Sequence, residues 1–259
     1  MSKNNKIVSK YLGLSYFFKN NYQNAAYYLT KAGVEDKLGL LNFISNIDNI
    51  EFVPDKIYKY NRSKKVKSFI SKFNSDTINI PQNLILEFNK AASDLPAQYT
   101  ILELGSNIGL LGYEINKRMQ DEYIIYSTEI SKEMINLQTD LFQGQQFYDI
   151  VLTESVKTYL ADNSQKYDVI FSLDGLSNIK NLQSIFANIS STLNNNGYFA
   201  FCLRTSKNAE FSRDLLEFSY DIDQISKNLL ETGFKILSFK NFNLENKNNY
   251  TIFVCKQQI

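Results

Sequence analysis

The residues best placed to do chemistry begin at Ile101-Leu102-Glu103-Leu104-Gly105-Ser106-Asn107-Ile108-Gly109, where a β-prone run meets an amphipathic one. A strand that ends in an acid, turns through glycines and opens a helix brings exposed backbone N–H groups to a positive helix end. Such a corner suits a ligand that carries a carboxylate. Gly105 and Gly109 let the backbone approach that ligand with no Cβ in the way, and they tolerate φ > 0. A plain tight turn in an α/β sheet would read the same. Roughly twenty positions further on, Thr128-Glu129-Ile130-Ser131 ends a second β-prone run in an acid, at the spacing where a carboxylate accepts from both hydroxyls of a ribose. The competing expectation for Glu129 is an acid near the N-cap of the helix that carries Met134. After a third run, Thr153-Glu154-Ser155-Val156 offers a side-chain acceptor and an apolar contact to an adenine, or is ordinary strand-end polarity.

Composition narrows the chemistry. The sequence contains no histidine, so Ser-His-Asp, Cys-His and His-zinc mechanisms are excluded and the usual neutral-pH base is missing. There are 28 Lys plus Arg against 27 Asp plus Glu, a formal net charge of +1. No global field therefore draws the protein onto nucleic acid. The basic cluster Arg62-Ser63-Lys64-Lys65-Val66-Lys67 is expected to be a solvated helix face. Cys202 and Cys255 each sit in an apolar β-prone run, where a free thiol behaves as a small buried hydrophobe, and this fits a reducing compartment. The apolar stretch from Ile7 to Phe18 is broken by Lys10 and lacks a small-residue cleavage site, so no secretory leader is expected. No uncharged apolar run reaches the ~18 residues of a membrane span. A cytoplasmic protein is expected.

These residues need elements to hold them. The first fifty positions predict helices, with Val8, Leu12, Tyr16 and Phe17 on one face and Ala25, Tyr28, Leu29 and Ala32 on a second, closed by Gly33. Leu12, Gly13, Tyr16, Tyr22, Ala25, Leu29 and Ala32 fall at the spacings of a tetratricopeptide repeat, which this segment resembles, although Ser9 and Lys37 replace its usual Trp and Pro. A single helical pair cannot bury its own faces, so it must dock on something. Residues 51–95 predict a linker with helices over Lys64 to Phe73 and Pro81 to Ala92. Beyond Pro96, strands are predicted at Thr100 to Leu104, Ile124 to Glu129, Ile150 to Thr153, Tyr167 to Ser172 and Tyr198 to Leu203, alternating with amphipathic segments. That alternation implies a mostly parallel sheet. The runs Phe234 to Phe242 and Asn249 to Cys255 are joined too closely to be anything but antiparallel neighbours.

The segment from Thr100 to Gln257 resembles the class I S-adenosylmethionine-dependent methyltransferases, in the branch that carries N-terminal tetratricopeptide-type helices. The resemblance rests on Leu102-Glu103-Leu104-Gly105 with Gly109-Leu110-Leu111-Gly112, on Thr128-Glu129-Ile130-Ser131, on Tyr167-Asp168-Val169-Ile170 and on Leu193 with Gly197-Tyr198-Phe199. It implies a Rossmann-like α/β fold with a seven-stranded sheet, five helix-linked strands plus a terminal antiparallel hairpin. The implied division is a helical element over 1–50, a linker with lead-in helices over 51–95 and a methyltransferase domain over 96–259. The implied cofactor is S-adenosylmethionine. Glu103, Gly105, Ser106, Asn107 and Gly109 would lie at its methionine part, Glu129 at its ribose, and Ile130, Glu154, Ser155 and Val156 at its adenine, with Ser172 at the end of strand four nearby.

Three positions depart from that pattern. Asn107 stands where the family has a middle glycine; asparagine enters the left-handed region more readily than most residues, with a side chain facing the ligand. Ser155 replaces an Asp at the adenine edge, and Asp221 follows Tyr220 where the family often has His. Should the acceptor need deprotonation, Asp174 is the first choice of base, with Tyr220, Glu154 and Asp221 behind it. The acceptor, a small molecule or a protein, is not specified by these residues, and the N-terminal helices offer a surface for a protein partner or a second copy. Two other readings compete: a protein of the same fold whose weakened site serves binding alone, and a nicotinamide enzyme, which lacks the third glycine of its turn and leaves the hairpin unexplained.

Overall fold

A computed structural model describes residues 3–33, 35–64, 74–75, 78–119, 122–243 and 249–258. Residues 65–73 of the expected helix and residues 244–248 of the expected loop lie outside these. The main sheet has seven strands: β1 (Gln98–Leu104), β2 (Glu122–Thr128), β3 (Ile150–Leu152), β4 (Tyr167–Ser172), β5 (Leu193–Thr205), β6 (Phe234–Asn243) and β7 (Asn249–Gln257). Their order is β6-β7-β5-β4-β1-β2-β3. β1 to β5 run parallel, and β7 is antiparallel to both β5 and β6. All seven predicted strands are present. The chain winds outward from β1 to β3, then crosses back to β4, so the carboxyl ends of β1 and β4 flank the topological switch point where open α/β sheets bind ligands. An antiparallel strand between β5 and β6 is not part of the dinucleotide-binding strand order, which counts against the nicotinamide reading.

Side chains alternate across the sheet because strand periodicity is two. Ile101, Val169, Ala200, Ile252 and Val254 face one core, together with Ile80, Leu84, Ile85 and Phe88 of α5 (Ile80–Ala91) and Leu111 and Ile115 of α6 (Leu110–Arg118). Leu102, Leu104, Ile170, Phe199, Phe201 and Phe253 face the other. There they meet α8 (Val156–Asp162), α9 (Gln183–Thr192) and α10 (Ile222–Glu231). Side-chain caps begin several of these helices: Asn79 for α5, Ser131 for α7 (Lys132–Leu141), Ser155 for α8 and Asp221 for α10. Each accepts from a backbone N–H that the first helical turn leaves without a partner. Asp221, where the family's histidine would stand, is thus a cap.

The N-terminal helices are α1 (Lys3–Phe18), α2 (Tyr22–Ala32), α3 (Leu40–Ser45) and α4 (Asp55–Lys64). Gly33 ends α2 with φ +56, as expected of a left-handed C-cap. Ala25, Leu29 and Ala32 are buried, but of the stripe predicted on α1 Phe17 alone is buried, Val8 being 57% exposed and Leu12 37%. Gly13 turns inward beside Phe17. A Cβ on Gly13 would stand 2.7 Å from Leu29 Cγ, so the missing side chain decides which face of α1 meets α2. This helical group docks on the excursion between β5 and α10, a short ribbon pairing Glu210–Ser212 with Glu217–Ser219. Leu216 joins its core, and Asn61 Nδ2 donates to the Leu215 carbonyl. Among the described residues no helix is long and apolar enough to cross a membrane.

Candidate functional site

The turn after β1 is held from three sides. Gly105 has φ +75, Asn107 φ +52 and Gly109 φ +77, so Asn107 occupies the left-handed region as expected. Its side chain does not face a ligand, which corrects the expectation: Nδ2 folds back to the Gly105 carbonyl at 2.8 Å, the local bond that makes this region accessible to asparagine. Gly105 lies against Gly175, beyond β4; a Cβ on Gly105 would sit 2.6 Å from Gly175 Cα. Ser172 Oγ reinforces that crossing, donating to the Leu104 carbonyl at 3.1 Å and accepting from Gly175 N at 3.2 Å. Ser172 is therefore a strut between β1 and β4 and does not line the cavity, contrary to its assignment from the family pattern.

Glu129 stands at the end of β2, 3% exposed. One carboxylate oxygen accepts from Asn107 N and the other from Ser131 N, both at 2.8 Å. The cap of α7 is Ser131, not Glu129. A carboxylate has about four lone-pair positions, so two remain for hydroxyls of a ligand. Burial raises the Glu129 pKa, opposed by Arg62 and by these two amides.

Gly105, Glu129, Ile130, Glu154, Ser155 and Val156 line one cavity, together with Gly175, Asn178 and Ile179. Six residues separated by as many as fifty positions in the chain thus converge at the switch point. Ser155 Oγ is committed to capping α8 through Thr158 N at 3.2 Å. The remaining wall comes from Lys157 and from the segment predicted as a linker with lead-in helices: Phe52, and Asp55, Tyr58 and Arg62 of α4. Arg62 is not on a solvated face. It is 7% exposed and donates through Nη1 to Asp174 Oδ2 at 2.9 Å, with Glu217 Oε1 4.0 Å away. The guanidinium carbon lies 5.0 Å from the Tyr58 ring centre. Ile57, Tyr58, Asn61 and Arg62 are the buried residues of α4, one helical face, and that spacing is the signal that could have found it.

Of the four candidate bases, Asp174 and Tyr220 are not poised in this state. Asp174, 6% exposed at the end of β4, is engaged by Arg62. Tyr220 turns its hydroxyl away to the Leu176 and Ile179 carbonyls, and burial, reinforced by Asp174, pushes its pKa well above the usual tyrosine range. Tyr220 is a structural tie, which corrects its assignment as a base. Glu103 also stays out of the cavity. It lies under α6, fully buried, accepting from Tyr148 OH at 2.7 Å, while Oε1 has no protein partner. Ser106 and Asn107 are buried at 2% exposure each.

Burial pushes the Glu103 pKa up to about 8. A carboxyl whose folded pKa exceeds its unfolded value contributes stability at low pH that is lost as pH rises through the folded value, here between about 4.5 and 8. The expected result is a melting temperature that falls from pH 6 to pH 8 in the wild type. Glu103→Gln, which cannot ionise, should flatten the slope by up to about 1.4 kcal/mol per pH unit. Equal slopes in thermal melts of the two proteins would refute this account of Glu103.

Comparison with known proteins bears on this geometry. Residues 102–199 match the family model described as a methyltransferase domain. That segment of the chain is similar to a methyltransferase domain. A search of curated proteins finds no match. Among solved structures, similar folds include magnesium protoporphyrin IX methyltransferase (ChlM) from Synechocystis PCC 6803 with bound SAH, at TM-score 0.59 and 14% identity, covering 79% of this chain and 99% of that one. Haemonchus contortus phosphoethanolamine N-methyltransferase 2, in complex with phosphomonomethylethanolamine and S-adenosylhomocysteine, aligns at TM-score 0.58 and 13% identity over 76% of this chain and 58% of that one. The [4+2]-cyclase SpnF aligns at TM-score 0.60 and 10% identity, covering 79% and 97%. At such identities the likeness is one of fold. The cyclase among them is a reminder that fold alone does not set the reaction.

Proposed function

We propose that the protein is an S-adenosylmethionine-dependent methyltransferase. The observation that carries this reading is the convergence of the Gly105 turn, Glu129, Ile130 and Val156 on one cavity at the switch point. The bare Cα of Gly105 would let the methionine part approach the turn, and the remaining lone-pair positions of Glu129 would hold the ribose. Ile130 and Val156 would sandwich the adenine, with Glu154 as a side-chain acceptor and Ser155 meeting the base through its backbone. When bound, the cofactor supplies a methyl group already activated by a positive sulfur, so the protein mainly contributes alignment and exclusion of water.

Asp174 remains the candidate base for an acceptor that must lose a proton, provided that its bridge to Arg62 opens. The acceptor is a small molecule or a protein; the exposed Ile7, Val8 and Tyr11 of α1 offer a surface for a protein partner or a second copy. The close approach of α1 and α2 at Gly13 supports the tetratricopeptide-like reading of that pair. The free, buried cysteines support a reducing, cytoplasmic setting. The test is calorimetric titration with S-adenosylmethionine and S-adenosylhomocysteine, with NAD as control. Micromolar binding of the first two alone is expected; binding of neither would overturn the reading.

A further inference from the structure

The cleft is closed by the chain itself. Its cavity measures about 30 Å³, room for a few water molecules, whereas small-molecule sites run to roughly 300–1,000 Å³. What fills it is α4. Residues 51–53 are zipped to residues 178–180, Val53 N donating to the Asn178 carbonyl and Lys180 N to that of Glu51, both at 2.8 Å. After Pro54, α4 crosses the mouth. Arg62 reaches Asp174 beyond β4, and Ser63 Oγ reaches Ser131 Oγ and Glu133 Oε2, beyond β2, at 3.0 and 3.1 Å. The helix therefore spans both walls of the switch point. Arg62, the buried cation among the described residues of this helix, pairs with Asp174 and Glu217 and lines the cavity together with Glu129.

We propose that α4 is a self-docked plug and Arg62 its latch: a tethered cation that must leave Asp174 and Glu217 before a cationic ligand of the sulfonium class can enter. This rests on the cofactor reading above. Because a closed form cannot bind, its population lowers both the apparent affinity and the rate of entry.

Stopped-flow binding of S-adenosylmethionine, with S-adenosylhomocysteine as the probe of uncharged sulfur, and hydrogen exchange of residues 55–64 test it. In the wild type the observed rate should level off with rising ligand, at the rate of plug opening. Arg62→Met, which keeps the stem and removes the charge, should raise that plateau about tenfold or more, the size of losing a charged hydrogen bond, and speed exchange of residues 55–64. Rates that climb linearly and equally in both proteins overturn the plug while leaving the cofactor reading intact. If neither protein binds S-adenosylmethionine or its homocysteine product, the cofactor reading falls, and exchange alone decides the latch: unchanged protection of residues 55–64 in the variant overturns it. Should Arg62→Met not fold, Glu217→Gln and the wild-type plateau serve the same test.

Discussion

Gly175→Ala is expected to cost about 4 kcal/mol or more, placing it among the largest single-residue effects. A Cβ there would lie 2.0 Å from the Leu104 carbonyl oxygen and 2.7 Å from its carbon. Both are backbone atoms at the end of β1, a strand paired on both sides, so neither can step aside. Gly105 meets the same point from the opposite direction, its missing Cβ facing Gly175 Cα. The two loops cross backbone on backbone, and this sets the floor of the cavity. For a chain of this size the loss corresponds to a melting point lower by roughly 10 °C. A variant that melts within about two degrees of the wild type would show that the loops separate easily and that the floor is not rigid.

The second large effect is expected at Glu129. Glu129→Ala removes the acceptor of two buried amides, Asn107 N and Ser131 N. Each amide left unsatisfied costs about 1–3 kcal/mol. The turn carrying Asn107 then loses its tie to β2, so ligand binding should fall by about a hundredfold or more, the sum of a lost ribose acceptor and a loosened loop. Glu129→Gln retains one acceptor oxygen and should lie between, with a smaller stability loss and measurable binding. Thermal melts and titration with S-adenosylhomocysteine on the three proteins separate these contributions. Full affinity in Glu129→Ala would remove Glu129 from the site and reassign it to loop architecture.

Both effects arise where chain segments distant in sequence touch, and they differ in how visible they are beforehand. Glu129 announces itself, because an acid that ends the second strand after a glycine turn has few other uses. Gly175 does not. It looks like any glycine after a strand, and only the crossing with Gly105 makes its hydrogen atom indispensable. Asn107 lies between the two: its left-handed φ follows from its residue type, whereas the direction of its side chain depends on a carbonyl two residues away.

What the sequence alone determined is the sheet, its strand-by-strand content, and the place of Gly105, Glu129 and Glu154 beyond the carboxyl ends of β1, β2 and β3. These follow from short-range rules: a period of two in strands and glycine at positive φ. The tertiary structure decided the rest. The exposed face of α1 was set by the helix that happens to pack on Gly13. Arg62, read locally as part of a charged surface run, was buried because α4 lies across the switch point and two acids, from β4's end and from the ribbon before α10, meet it there. The local spacing of Ile57, Tyr58, Asn61 and Arg62 marks an inward face, but the acids that draw the charge inward stand 112 and 155 positions away, and no local pattern records them.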